Sequence, residues 1–362
     1  MLRRFTCVVF FLLPALLFGE VIVDRGEIGG AKFAIARPEH WNGHVLLLAH
    51  GLRAADRPLV ADLFPEHLAY RTLLAEGWVV AKTSYRRNGI IVLDAVVDLD
   101  ALRQHIVQTL GEPKRVLLEG ESMGGLIVTL LAERDPQHYA GAVAIGAALN
   151  LKDSGTQIVV SHQPKIPLLF LTNQSELDEP IAYVIASASR VDSNLRPALF
   201  RISRDGHVNV NQAERLVALR AVDRWINKGR ASLPAPTSGA PYYDATISPA
   251  PVPSRVTLHP DAHGFDCHVI EVSAIYGNVF IDAQPSDFAS AGVAPETWFE
   301  LTAHGTKYRV FYGNDFRSVK RGEWVIFPNA DGFFWLARNF GDAAATASLH
   351  LGDTIGIAQA QR

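Results

Sequence analysis

Between residues 31 and 226, short apolar runs alternate with longer stretches whose apolar positions recur at helical spacing. Residues 31–35 and 44–48 read as strands on either side of the Trp41-Asn42-Gly43 turn, and 66–76 as a helix closed by Gly77. A buried strand at 78–84, a long amphipathic helix at 93–110 stopped by Gly111, and an apolar strand at 115–119 follow. A helix at 123–134, strands at 141–147, 167–171 and 198–202, and helices at 181–188 and 212–226 complete the series. Strand–helix alternation of this kind predicts an α/β domain, a mostly parallel sheet with helices on both faces.

The rhythm breaks at 229–255. Pro234, Pro236, Pro241, Pro249, Pro251 and Pro253 fall there among Ser, Thr, Gly and Ala. Prolines at that density remove ladder donors and favour extended chain, which predicts a linker. Beyond it the pattern changes to short alternating runs at 269–273, 279–282, 298–302, 308–312, 324–327, 333–337 and 354–358, separated by turn residues. These predict a second, smaller, all-β and barrel-like domain over 256–362, behind a first domain at 20–228.

Composition adds limits. With 48% apolar and 20% charged residues in 362, the chain can build cores in both domains. Its net charge of −3, without a long basic run, argues against nucleic acid or an anionic membrane surface as a partner. Arg3 and Arg4 precede an apolar run at 8–18, interrupted by Pro14 and closed by Gly19-Glu20. That predicts a signal peptide over 1–19 and a secreted or periplasmic protein, free of the membrane once cleaved. An uncleaved anchor is the alternative, although the run is shorter than the roughly 18 residues a span needs. Once a leader carrying Cys7 is removed, Cys267 stands alone and no intrachain disulfide can form.

Candidate chemistry centres on residues 116–125, where an apolar strand runs into Gly120-Glu121-Ser122-Met123-Gly124 and a helix starts at once. A G-x-S-x-G turn in that setting holds its serine in a strained conformation, and its glycines admit neighbouring backbone. Three fixed positions recur by chance in roughly one chain in ten of this length, so the elbow needs a base, an acid and oxyanion donors beside it. Asp205-Gly206-His207 lies on the loop after the 198–202 strand, and His207 alone of the 13 histidines is placed to reach an elbow serine. The loop after the 167–171 strand offers Glu176, Asp178 and Glu179. Ala49-His50-Gly51-Leu52 follows the 44–48 strand. There Gly51 lets backbone approach a substrate carbonyl, so the N–H of Leu52 or Gly51 would join that of Met123 as an oxyanion donor.

On Ala49-His50-Gly51, Gly120-Glu121-Ser122-Met123-Gly124-Gly125 and Asp205-Gly206-His207-Val208, residues 27–228 resemble the α/β-hydrolase superfamily. Leu131-Ala132-Glu133-Arg134 and Val222-Asp223-Arg224-Trp225 agree with it. The resemblance implies the chain order serine, acid, histidine, hence Ser122 as nucleophile and His207 as base. The acid loop of many such hydrolases reads Gly-x-x-Asp-x-x-Val-Pro; setting its proline at Pro180 puts Glu176 at the acid position, with Asp178 as competitor. Glu179 is expected to face water. Glu in place of Asp, and Asn173 where Gly is usual, depart from the family pattern. About 15 residues, 151–165, precede the 167–171 strand, too few for a helical lid, so no large lid and an open site are expected. Tyr85-Arg86-Arg87-Asn88-Gly89 stands either at its rim or in a solvated turn.

In the second domain, Ile275-Tyr276-Gly277-Asn278-Val279, Gly322-Glu323, Asn329-Ala330-Asp331-Gly332-Phe333, Ala337-Arg338-Asn339 and Leu351-Gly352-Asp353 occur in order. They are similar to the C-terminal β-domain of the S-adenosylmethionine hydrolases and halogenases. The resemblance implies part of an adenine pocket, with Asn278, Phe316 and Arg338 at matching positions. The domain that completes that pocket in the family has no counterpart here. A β-module serving homo-oligomerisation, or shaping the hydrolase cleft, is the plainer reading. His259, Asp261, His263, Asp266, Cys267 and His268 are metal-ligand types at tight spacing. A polar loop is expected at the linker's end in any case, and neither metal nor cofactor is expected. The sequence therefore points to a secreted serine hydrolase cleaving a small-molecule carboxylic ester through Ser122, His207 and Glu176. The alternative is a nucleoside- or S-adenosylmethionine-binding, non-catalytic protein whose β-domain carries the function.

Overall fold

The computed structural model describes residues 21–237, 239–249, 253–260 and 263–360. The expected signal peptide at 1–19 and Asp261 lie outside the described residues. Among the described residues no helix is long and apolar enough to cross a membrane.

The first domain is built on β1 (Ile22–Ile28), β2 (Ala31–Arg37), β3 (His44–Ala49), β4 (Val79–Thr83), β5 (Arg115–Glu121) and β6 (Gly141–Ile145). A small hairpin, β7 (Lys152–Asp153) and β8 (Thr156–Gln157), precedes β9 (Leu168–Asn173), β10 (Ala198–Ile202) and β11 (Tyr243–Asp244). The main sheet runs β1-β2-β4-β3-β5-β6-β9-β10-β11. β1 and β2 are antiparallel additions, and every pairing from β4 onward is parallel. The helices are α1 (Leu68–Ala75), α2 (Val92–Leu110), α3 (Met123–Arg134), α4 (Asp178–Ser187) and α5 (Gln212–Lys228). One core joins Leu99 of α2, Leu126 of α3 and Tyr183 of α4 to one sheet face. The other joins Leu73 of α1 and Leu219 and Val222 of α5 to the opposite face. This is the fold of the α/β-hydrolases, and no helix lies between β6 and β9, where a lid would sit.

Two departures from the periodicity have physical causes. β1 reads IVDRGEI and is exposed along most of its length, so it carries no apolar signal. β11 lies inside the proline-rich stretch, extending the sheet beside β10 with Phe200 opposite Tyr243 and Arg201 opposite Asp244. Its flanking prolines, Pro241 and Pro249, are tolerated because the strand is at an edge. The chain up to Ile247 is therefore part of the first domain: Arg201 pairs with Asp244 at 2.5 Å, and Ile247 N–H donates to Glu214 at 3.0 Å.

The second domain contains β12 (Thr257–Leu258), β13 (Gly264–Val272), β14 (Val279–Ile281), β15 (Trp298–Ala303), β16 (Thr306–Tyr312), β17 (Trp324–Pro328), β18 (Phe334–Arg338) and β19 (Thr354–Gln359). β13 pairs with both β14 and β19, which closes seven strands into a barrel with β12 as a flap on β13. β15 shows the strict inward–outward alternation that such closure requires. Two short helices escape the strand pattern, α6 (Pro285–Ser290) and α7 (Ala343–Ala347). α6 delivers Phe288 into the core, with ring centroids 4.4 to 5.6 Å from Phe334, Phe265, Tyr312 and Phe299. Burying one such ring stabilises by roughly 2–3 kcal/mol.

Candidate active site

Ser122 sits between β5 and α3 with φ 54° and ψ −115°, a backbone state that L-residues rarely adopt. The glycines explain how the chain tolerates it. A Cβ on Gly120 would lie 2.1 Å from the Gly124 carbonyl oxygen, and one on Gly124 would lie 2.0 Å from that of Ala49. Ser122 N–H donates to Ile145 O at 2.9 Å, and Ser122 O accepts from Ala148 at 3.1 Å, which ties the turn to β6 and its loop.

His207 Nε2 stands 2.8 Å from Ser122 Oγ, and His207 Nδ1 is hydrogen-bonded to Glu176 Oε1. The other Glu176 oxygen accepts from Val208 N–H at 3.4 Å. Of the two acids the sequence leaves open, Glu176 meets the histidine, whereas Asp178 is exposed at the start of α4. Glu179 is exposed and accepts from Leu149 N–H at 2.6 Å. The Glu176 hydrogen bond raises the His207 pKa above its ordinary value against a lowering by burial, and the Glu176 and Glu121 charges add to the rise. Beside this group lies a shallow depression of about 230 Å³ bordered by Gly146, Ala148, Ser175, Asp178 and His207. The His207 side chain is 59% exposed, so the site is open.

Asn173, the departure from the family's glycine, has a structural reason. It is fully buried; its Nδ2 donates to Arg204 O at 3.1 Å and Asn209 O at 2.9 Å, while its Oδ1 accepts from Asn209 N–H at 2.8 Å. Ser175 Oγ adds bonds to the N–H and carbonyl of Gly206, at 3.0 and 3.1 Å. The loops carrying acid and histidine are thus laced together before either side chain is placed.

The loop after β3 lies against Ser122. A Cβ on Gly51 would be 3.1 Å from Ser122 Cβ and 3.7 Å from Ser122 Oγ. His50, 4% exposed, has Nδ1 at 2.7 Å from Gly51 O and Nε2 at 3.1 Å from Ser84 O. Burial, with Arg53 and Lys82 nearby, pushes its pKa down to about 3, so the neutral ring has one N–H for two carbonyls. We assign it to Nδ1 on the shorter distance. In a planar trans peptide the N–H points opposite to the C=O, so a Gly51 carbonyl held by His50 turns the Leu52 N–H away from that ring. Met123 is the first residue of α3, where an amide has no intrahelical acceptor.

A buried charge group underlies the elbow. Arg215 of α5 bonds Glu119, and reaches Glu121 Oε1 at 2.5 Å. Tyr70 donates to Glu119 at 2.9 Å. Burial raises the Glu119 pKa despite Arg215, whereas for Glu121 the charges of Arg215 and Lys82 outweigh burial and lower it. The sequence gives no sign of this group, because its hydrogen-bonded partners lie 49 to 145 residues apart. Arg86 and Arg87 are paired rather than free, Arg86 with Asp98 at 2.5 Å and Arg87 with Asp94 at 2.7 Å.

Among the described residues, no hydrogen bond or ring contact joins Asn278, Phe316 and Arg338. Arg338 donates to Gly322 O at 3.1 Å and to Thr346 Oγ1 at 2.8 Å, and Phe316 is more than half exposed. Of the ligand-type residues at the linker's end, strand alternation on β13 turns Cys267 away from Asp266 and His268. Cys267 points into the core, His259 pairs with Asp266 at 3.0 Å, and His268 faces Asp282 at 3.2 Å.

Residues 92–193 match the family model described as Serine aminopeptidase, S33. Residues 268–356 match that of the SAM hydroxide adenosyltransferase C-terminal domain. No curated protein matches the chain. Among solved structures, it is similar to an uncharacterized conserved protein from Thermotoga maritima at 22% identity, over 36% of this chain and 47% of that one, with a TM-score of 0.27. It thus spans about half the length of that relative. It is also similar to a putative dienelactone hydrolase from Klebsiella pneumoniae at 17% identity, covering 52% of this chain and 88% of that one, with a TM-score of 0.43. A Pyrococcus furiosus esterase is similar at 16% identity over 61% and 95%, again with a TM-score of 0.43. The chain joins a domain of the α/β-hydrolase fold to a closed C-terminal barrel, over which the match to the SAM hydroxide adenosyltransferase C-terminal domain extends.

Proposed function

We propose that the protein is a serine hydrolase that cleaves a carboxylic ester of a small molecule through an acyl-enzyme. The observation that carries this reading is the alignment of a strained Ser122, His207 and Glu176 at the C-terminal ends of β5, β10 and β9. Ser122 Oγ attacks the carbonyl carbon as His207 Nε2 takes its proton, and Glu176 holds the imidazolium in its orientation. The N–H groups of Met123 and Leu52 receive the oxyanion, with Gly51 leaving it room. The C–O bond to the alcohol breaks and the departing oxygen takes the proton from His207. Water, deprotonated by the same nitrogen, then attacks the acyl carbon, releasing the acid and restoring Ser122.

An ester suits this site better than an amide. His207 is exposed to solvent, and an alkoxide leaves with less demand on a well-shielded acid than an amine does. We also propose export, on the strength of Arg3, Arg4 and the apolar run at 8–18; fractionation of cells expressing the chain with and without residues 2–19 tests it. The enzymatic reading is tested by fluorophosphonate labelling together with turnover of a panel of p-nitrophenyl and alkyl esters. Wild type should label and turn over, and Ser122→Ala should do neither. Equal labelling of both proteins, or none of wild type, would overturn it.

A further inference from the structure

The aromatic-Gly-Asn turn of the barrel points at the hydrolase. Tyr276, on the loop between β13 and β14, donates its hydroxyl to the Leu52 carbonyl at 2.9 Å, across 224 residues of sequence. Leu52 directly follows Gly51, the residue whose α-carbon leans on Ser122. Other bonds also join the domains, among them His67 to Glu271 at 3.2 Å and Gln212 N–H to Asp331 at 2.9 Å. Gln212 lies outside the connection from β3 to α1 that carries Gly51 and Leu52, and His67 stands at the far end of that connection, directly before α1.

The turn that presents Tyr276 is stiff. Gly277 N–H donates to Ser273 O, and Ser273 N–H to Asn278 O, each at 2.8 Å; Tyr276 N–H donates to Ser273 Oγ at 3.1 Å. Gly277 has φ 67°, and a Cβ there would lie 2.0 Å from Asp342 Oδ1, so the turn rests directly on the start of α7. Gly277 O also accepts from Ala344 N–H of that helix at 2.8 Å. Burial raises the Tyr276 pKa, which keeps the phenol a proton donor.

On the far side of Leu52 the loop is also fixed. The buried Arg53 guanidinium donates to Val60 O at 2.6 Å and to Asp62 at 2.5 Å, and His50 holds Gly51 O. Leu52 itself is 48% exposed. A hydrogen bond to its carbonyl fixes the peptide on one side of its α-carbon, while His50 fixes the peptide on the other. The Leu52 N–H between those two constraints is the proposed oxyanion donor.

We propose that Tyr276 is a positioning residue of the hydrolase, through which the C-terminal barrel holds the oxyanion loop in its working geometry. This rests on the serine-hydrolase reading above. The barrel is then part of the catalytic apparatus, and the turn that resembles an adenine-contacting motif serves here as a brace.

The experiment uses the full chain, with Tyr276→Phe to remove the hydroxyl and Glu271→Gln to loosen the interface at His67 instead. With a small acetate ester, Tyr276→Phe should lower kcat by about 5- to 30-fold, less than the roughly 10²- to 10³-fold seen when an oxyanion donor is removed outright. KM should stay within about twofold, and the Kd of a boronic acid that forms a tetrahedral adduct on Ser122 should weaken in step with kcat. Glu271→Gln should keep wild-type kcat, and the melting temperatures of both variants should stay close to that of wild type. Tyr276→Phe with kcat within twofold of wild type, or losses equal in the two variants, would overturn the brace. A wild type that neither turns over esters nor labels at Ser122 would instead overturn the hydrolase reading, so the two failures are distinguishable.

Discussion

Replacing Arg215 with Met tests how the floor of the site is held. Glu119 and Glu121 flank Gly120 below Ser122, and both lean on this one guanidinium. Met approximates the length of the Arg stem, so packing largely survives while the charge goes. Glu119, 2% exposed, keeps the Tyr70 hydroxyl but is left a buried carboxylate without its cation. Removing one partner of a buried pair costs about 3–5 kcal/mol, a large part of the roughly 5–15 kcal/mol that keeps a domain folded. At roughly 2–4 °C per kcal/mol for a domain of this size, the melting temperature should fall by about 6–20 °C at pH 8. The loss should also depend on pH. Burial already raises the Glu119 pKa in the folded state, and without Arg215 the rise grows. Below the unfolded value the group is neutral in both states and adds no penalty. Between the unfolded and folded values the folded state holds a proton that the unfolded state lacks, so stability falls as pH rises, and it levels off above the folded value. Calorimetry at pH 5 and pH 8 should therefore show a smaller defect at pH 5, and Arg215→Met with Glu119→Gln should regain part of it. A variant as stable as wild type at pH 8, or a defect that does not shrink at pH 5, would refute this account.

The elbow and the proposed triad give further expectations. In Gly51→Ala the new methyl needs a few tenths of an ångström from Ser122, 3.1 Å away at its Cβ, so kcat on an ester should drop by about 10- to 100-fold with little change in calorimetric stability; wild-type turnover would show that the loop gives freely. Gly124→Ala instead drives a methyl to 2.0 Å from the Ala49 carbonyl oxygen, so it should lose about 3 kcal/mol or more by overpacking together with Ser122 labelling, and a stable, labelling variant would contradict it. The raised His207 pKa places the acid limb of kcat/KM above the ordinary imidazole value of about 6.5, with activity lost as pH falls because only the neutral ring accepts a proton. Glu176→Gln should move that limb lower and reduce kcat by up to about 10⁴-fold; an unmoved limb would assign the acid elsewhere, with Asp178 next to be tested.

What the sequence reveals and what it hides divide along a physical line. Most strands and helices of the first domain are legible because they carry an apolar signal of their own, a helical period in α2, where Val92, Ala95, Leu99, Leu102 and Ile106 are buried, and a short buried run in β6, whereas the exposed β1 carries none. Ser122 and His207 are legible because strand ends fix where such residues must stand. Glu176 and Asp178 are two residues on one loop, and which of them bonds His207, here Glu176, is a matter of side-chain reach that spacing does not carry. β11 is hidden because an edge strand of two residues needs no apolar run and accepts proline at its flanks.

The hidden part of the candidate site consists of groups that act on backbone far away in sequence. Asn173 offers one amide to three partners on the histidine loop, 31 to 36 residues on. Glycine at that position would make none of these bonds, so in this chain the side chain supplies a link between acid and base that a bare turn does not. Tyr276 reaches 224 residues back to a single carbonyl, a contact that no period or local motif encodes. Both residues meet polar backbone rather than other side chains, and backbone groups look alike from every position in a sequence. A motif can therefore mark where a nucleophile stands, while the atoms that hold its neighbours in register emerge only when the two loops, or the two domains, are folded against each other.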